Sequence, residues 1–172
     1  DMTTTASEVV VTKPEDPLAT PPSIILYGSS GTGKSSEMAK AFPNCLWVVT
    51  DKEVLRPYAS WIRDNAEEAK SKGLAMIPDK RIIVCPTHEM GLDGKLKRLN
   101  VEAKIKGILQ QLGAEFKKEN PPNIDGIIFD EWTTMVSSIA EDMEARGKKG
   151  WDKWEELVIF HKELCAWPRL TK

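Results

Sequence analysis

Long apolar runs are missing from this sequence. No stretch approaches the roughly 20 consecutive apolar residues that span a bilayer, and no basic-then-apolar segment of secretory type precedes the first strand-like run. A membrane-spanning or exported protein is therefore not expected, and the cytoplasm is the expected location. Histidine is scarce: His88 and His161 are the two present, neither with partners at metal spacing, which argues against a structural zinc site. Cysteine is scarce as well, and Cys45, Cys85 and Cys165 form no Cys-x-x-Cys pair. Cys45 and Cys85 sit inside apolar runs, so buried free thiols in a reducing compartment are expected. A surplus of positive charge is also absent. With 24 Lys and Arg against 26 Asp and Glu, the net charge is -2 and the pI about 5.8. That excludes a globally basic nucleic-acid binder and leaves only a local basic loop for such a role.

What is present fits one domain, since 172 residues can bury a sizeable core. Residues 1–22 carry Pro14, Pro17, Pro21 and Pro22 among Thr and scattered charges, the composition of an extended leader. An Asp ahead of Met2 reads as the remnant of an excised piece. The folded core is expected over residues 23–172.

Residues 28–35 read GSSGTGKS and fit the phosphate-loop template G-x-x-x-x-G-K-[ST] without a mismatch. Backbone N–H groups that curl around a phosphate chain need Gly at close approach, and Gly28, Gly31 and Gly33 supply it. A helix beginning near Lys34 would aim its positive end at the same anion. Gly28, Ser29, Ser30, Gly31, Thr32, Gly33, Lys34, Ser35 and Ser36 are thus the expected nucleotide-binding residues. Lys34 would reach the β- and γ-phosphates and Ser35 would ligate Mg²⁺. The flanks agree: SIILY (23–27) is an apolar strand-like run, and SEMAKAF (36–42) is helix-compatible until Pro43.

Further strands are expected at CLWVVT (45–50), RIIVC (81–85) and GIIF (126–129). Helical periodicity predicts helices over 57–72, ended by Gly73, and from about 96 to 118 through Ile105, Ile108, Leu109, Leu112 and Phe116. Two more are expected over about 133–146 and 151–167, separated by the basic turn RGKKG. Apolar strands alternating with helices give a mainly parallel sheet covered on both faces, an α/β three-layer class.

Asp130 ends the fourth run, where a carboxylate can hold the Mg²⁺ that bridges β- and γ-phosphates, directly or through water. Capping of the next helix by Asp130 and Glu131 is the plainer role for the same residues. Attack by water needs a base or polariser, and both Glu131 and Glu53 stand after acid-ended strands. The register of Glu131 beside Asp130 is fixed, whereas Asp51 and Glu53 compete for one position; this favours Glu131.

On GSSGTGKS and IIFDE the chain resembles the P-loop NTPases, in particular the RecA-like branch, and is similar in size and plan to small phage ATPases linked to recombination and single-strand annealing. The resemblance implies a P-loop NTPase fold in RecA-like order, ATP and Mg²⁺ as cofactors, homo-oligomers and, for a phage protein, the host cytoplasm. In RecA-like relatives the catalytic Glu follows the second strand, where Glu53 stands. In AAA and ABC-type relatives it is the second acid of the Asp-Glu pair, where Glu131 stands. The resemblance also implies single-stranded DNA at the loop after the Asp-strand helix, here Arg146, Lys148, Lys149 and Trp151, with Trp154 as a second stacking candidate. The alternative there is a solvated basic turn with both tryptophans packed on the next helix, favoured because Trp154 falls on the apolar face of that helix. Such relatives carry a sensor strand after the last helix. None is visible before Lys172, so a C-terminally incomplete core is expected. An AAA-type remodelling subunit and a small-molecule kinase are the other functional readings. A GTPase is disfavoured, because no D-x-x-G follows Asp130 and no N-K-x-D is present.

Overall fold

Leu46–Val49 forms β1, and all four of its residues are buried. It is the middle of a parallel three-stranded sheet, flanked by β2 (Ile82–Val84) and β5 (Ile127–Phe129) in the order β2-β1-β5. A strand paired on both edges and covered on both faces has no solvent side, which is why CLWVV shows no polar alternation. The period of two survives in the packing. Val48 belongs to a core with Cys85, Ile105, Leu109, Met135, Ile139 and Phe160. Trp47 and Val49 face the opposite side with Leu55, Ile128, Met38 and Phe42.

The computed structural model describes residue 26 and residues 31–170, with side chains as far as residue 165. The expected leader 1–22, all of the expected strand 23–27 except Leu26, and Gly28, Ser29 and Ser30 lie outside the described residues.

Helix α1 (Lys34–Ala41) supplies Met38 and Ala39 to the Trp47 face. Behind it, α2 (Arg56–Asp64) and α3 (Ala66–Ser71) join through Tyr58, Ile62 and Ala69, against Ala39 and Ile77. The opposite face is covered by α4 (Val101–Phe116), α5 (Trp132–Ala145) and α6 (Trp151–Leu170). The chain is thus α/β, with helices on both sides of a small parallel sheet.

Two helix boundaries depart from the periodicity, and one hairpin is added. The helix expected over 57–72 is two helices, broken at Asn65, whose side-chain amide donates to the Trp61 carbonyl at 3.0 Å. Such local side-chain bonding competes with helix continuation. Gly73 does end the second piece: at φ 68° it donates to the Lys70 carbonyl, and Leu74 donates to that of Ala69, the paired bonds of a left-handed C-cap. The helix expected from residue 96 starts at Val101, because Asn100 caps it by accepting from the Ala103 N–H at 2.8 Å. Residues ahead of the cap form an unexpected antiparallel hairpin, β3 (His88–Met90) with β4 (Leu96–Arg98). Its turn is set by Gly94 at φ 73° and by Asp93 accepting from the Lys95 N–H. The Asp-Gly pair between two short runs was the available sequence signal.

Candidate functional site

Because β1, β2 and β5 are parallel, their carboxyl ends share one edge, and the acids that follow them gather there. The N-terminus of α1 is brought to that edge. Gly31 and Gly33 hold φ of 78° and 82°, and the Gly33 carbonyl accepts the first helical bond, from the Glu37 N–H at 2.9 Å. A Cβ at either glycine would touch nothing within 4 Å, so backbone conformation rather than space demands glycine there. Lys34, Ser35 and Ser36 then make the first helical turn.

The Ser35 hydroxyl donates to Asp130 Oδ2 at 2.8 Å, joining residues 95 apart in sequence. Asp130 extends the ladder of β5, its N–H donating to the Val48 carbonyl at 3.0 Å. Its other oxygen, Oδ1, accepts from the Glu131 N–H at 3.0 Å. Two cis ligands of a small octahedral cation stand about 3 Å apart, so the Ser35 and Asp130 oxygens have the spacing to share one. Among the described residues no three His, Cys, Asp or Glu side chains converge into a larger ligand set.

Glu131 is left-handed, φ 60° and ψ 36°, and among the described residues it is the only non-glycine at positive φ. Such a conformation costs on the order of 1–3 kcal/mol and persists where the surroundings over-determine it. Three contacts do so here. Its N–H meets Asp130, its carbonyl accepts from the Thr134 and Met135 N–H groups that open α5, and its carboxylate accepts from the Thr50 hydroxyl. Thr50 was not singled out from sequence. Its position follows from register: Val48 pairs with Phe129, and two steps further along Thr50 stands opposite Glu131.

Glu53 lies beyond the same edge in a different setting. Asp51 caps the short turn Lys52–Leu55 by accepting from the Glu53 N–H at 3.0 Å, and the Glu53 carboxylate pairs with Arg56 at 2.8 Å on the surface. The fold therefore joins Ser35, Asp130, Glu131 and Thr50, and holds Glu53 in a separate ion pair.

The basic turn is ordered by left-handed Gly147, with Lys148 donating to the Met143 carbonyl at 3.0 Å. Its cations are largely engaged: Arg146 with Asp142 and Glu102, and Lys148 with Glu156 at 2.7 Å. Among the described residues Lys149 has no ion-pair partner. Trp151 is 81% exposed. Trp154 corrects the expectation of a buried ring: it is 56% exposed, with Lys153 Nζ 5.2 Å from its ring centroid. The buried stripe of α6 runs through Leu157 and Phe160, one position round from Trp154.

Cys45 and Cys85 are buried free thiols, as expected. Burial, with Asp125 adding and Arg81 opposing, pushes Cys45 up from 9.0 to about 11. Cys85 moves in the same direction through burial. The folded state favours the neutral thiol, so this stabilisation is complete below pH 9 and is lost as pH rises toward about 11. Urea midpoints measured from pH 8 to 11 should fall over that window, and fall less steeply in Cys45→Ala.

Comparison with known protein families, with curated proteins and with solved structures returns no match. Among the described residues no helix is long and apolar enough to cross a membrane.

Proposed function

We propose that this chain binds Mg-ATP at the carboxyl edge of its sheet and hydrolyses it. The observation that carries the reading is the 2.8 Å bond from Ser35 to Asp130, which unites the end of a GSSGTGKS stretch with the acid of IIFDE. Neither stretch alone is as specific, and the sequence gives no other reason for them to meet. The N–H groups at the start of α1 and the Gly31 and Gly33 backbone form the phosphate cradle. Lys34 reaches the β- and γ-phosphates, and Ser35 and Asp130 hold the cation, directly or through water. When bound, Mg²⁺ neutralises charge developing between those phosphates. Glu131 orients the attacking water and accepts its proton, with Thr50 fixing the carboxylate. The order β2-β1-β5 places the Leu46–Val49 strand directly beside the strand that ends in Asp130, so that residues following both strands reach the same edge.

The test is direct binding. ATP titrated in the presence of Mg²⁺ should bind Lys34→Ala about 10- to 100-fold more weakly than the parent, the worth of one charge-assisted contact. Equal affinity for both proteins, or no ATP binding by the parent, overturns the reading.

Single-stranded DNA is the proposed coupled partner, in phage-type recombination or replication. Its support is the exposure of Trp151 beside Lys149, since a base can stack on an open ring while lysines track phosphate. Arg146 and Lys148, held by acids, would have to exchange partners. Oligonucleotide should raise ATP turnover in the parent and raise it less in Trp151→Ala. An ATPase indifferent to DNA would point instead to an AAA-type remodelling subunit.

A further inference from the structure

The backbone of Glu131 is set by the two peptide units around it, and the fold fixes them by different means. The unit before it belongs to the sheet, since the Asp130 N–H continues the ladder to the Val48 carbonyl at 3.0 Å. The unit after it opens α5, and there the usual device is missing. A helix start is ordinarily fixed by an extended N-cap residue whose side chain accepts from the first turn. Glu131 is left-handed, and among the described residues its side chain makes no such bond. Its carboxylate is turned to Thr50 instead. What holds the first residue of α5 is a ring. Trp132, the one aromatic residue of that helix, makes a T-shaped contact with Phe129 at the end of β5 and stacks on Phe160 of α6, with ring centroids 5.5 and 6.3 Å apart. The His161 ring, next along α6, stands 6.1 Å away and is itself in contact with Cys165 Sγ at 3.6 Å. Strand, elbow and α6 thus meet on one indole.

On the reading of Glu131 given above, as the residue that orients water, we propose that Trp132 is its positioning residue. The indole, clamped between β5 and α6, keeps the chain at Glu131 left-handed and so keeps the carboxylate on Thr50. Another conformation is within reach of this chain. In the right-handed region Glu131 would become one more residue of α5, free of the cost of a left-handed non-glycine. That change would rotate its Cα–Cβ bond and carry the carboxylate away from the edge where Ser35 and Asp130 meet. Extending α5 by a residue would also displace Trp132 from Phe129 and Phe160, so the ring contacts oppose it. Two aromatic pairs and the burial of so large a side chain are of the size needed to outweigh one strained residue. The bonds of Glu131 itself, to Asp130, to Thr50 and from the N–H groups of Thr134 and Met135, presuppose the left-handed turn. The ring contacts are made by other residues and can impose it.

Backbone chemical shifts of Glu131 in isotope-labelled full chain, read without nucleotide, test the clamp, while ATP turnover and binding test its effect. The parent should show left-handed shifts at Glu131. Trp132→Ala should move them toward the right-handed helical range, and Phe160→Leu, which removes the stacked ring from the α6 side, should move them the same way. Trp132→Phe, which keeps a ring, should hold the parental shifts. With saturating Mg-ATP, Trp132→Ala should turn over about 10- to 100-fold more slowly, the scale of loss from a misplaced reacting group, while binding ATP within about two-fold of the parent. Trp132→Phe should recover most of that turnover. In a Glu131→Gln background Trp132→Ala should cost less than about two-fold more, because the group it positions is already gone. Three results would overturn the proposal: parental shifts in both Trp132→Ala and Phe160→Leu, a parent that is not left-handed at Glu131, or a loss of turnover matched by an equal loss of ATP affinity, as general loosening of the core would give. A parent that keeps the left-handed shifts but hydrolyses no ATP would refute the hydrolytic reading alone, and the shifts of the variants would still decide the clamp.

Discussion

Glu131→Gln is expected to lower ATP turnover about 10²- to 10⁴-fold, the usual contribution of a positioned general base, while ATP affinity changes little. Gln keeps the length of the side chain and an oxygen that can accept from the Thr50 hydroxyl, so the left-handed backbone and the start of α5 are preserved. What it removes is the capacity to take a proton. Glu53→Gln is the control: its carboxylate is held by Arg56 on the surface, and its loss should leave turnover within a few-fold of the parent. The reverse pattern, with Glu53→Gln inactive and Glu131→Gln active, would transfer the role to the acid after β1. Steady-state hydrolysis and equilibrium ATP binding, measured on the same preparations, separate loss of chemistry from loss of the site.

Trp47→Ala should cost about 3–5 kcal/mol of folding stability, read as a drop in the urea midpoint. Trp47 is buried in the central strand, paired with Ile82 on one side and Ile128 on the other, and packs with Cys45, Val49 and Leu55 under α1. A domain with about 5–15 kcal/mol of net stability loses a large share of it in one step. Trp151→Ala provides the contrast. Its ring is mostly in solvent, so its stability should stay within about 0.5 kcal/mol of the parent. The outcome for Trp47 bears on the fold alone and is independent of any nucleotide.

The sheet was readable in the sequence for a physical reason. The central strand, buried on both faces, must be a continuous apolar run, and it and the flanking apolar runs at 81–85 and 126–129 are bounded by Pro, Gly and acids. The hairpin escaped because its strands, HEM and LKR, are three residues long with one apolar residue each and so show no period of two, leaving the wider helical period to absorb Leu96. Trp154 was misplaced because the apolar stripe of α6 is broad enough to admit two faces. The buried one includes the stem of Lys153, whose ammonium reaches Glu144. Within the candidate site, Ser35 and Asp130 could be named from residue type and spacing. Thr50 could not, since its contact with Glu131 arises from strand register. Nor could the ion pair that separates Glu53 from the others, which depends on how the chain turns after β1.

The central position of β1 also shapes how the chain leaves the ribosome. Both strands that pair with Leu46–Val49 lie downstream of it, β5 far downstream. During synthesis the most buried of the described strands therefore emerges before its partners and waits, apolar, with one edge unpaired until residues 82–84 are made and the other until residues 127–129 are made. Such a segment is prone to associate with other nascent chains. Ser35 and Asp130 cannot meet before that wait is over, so the same late pairing that completes the sheet assembles the candidate site.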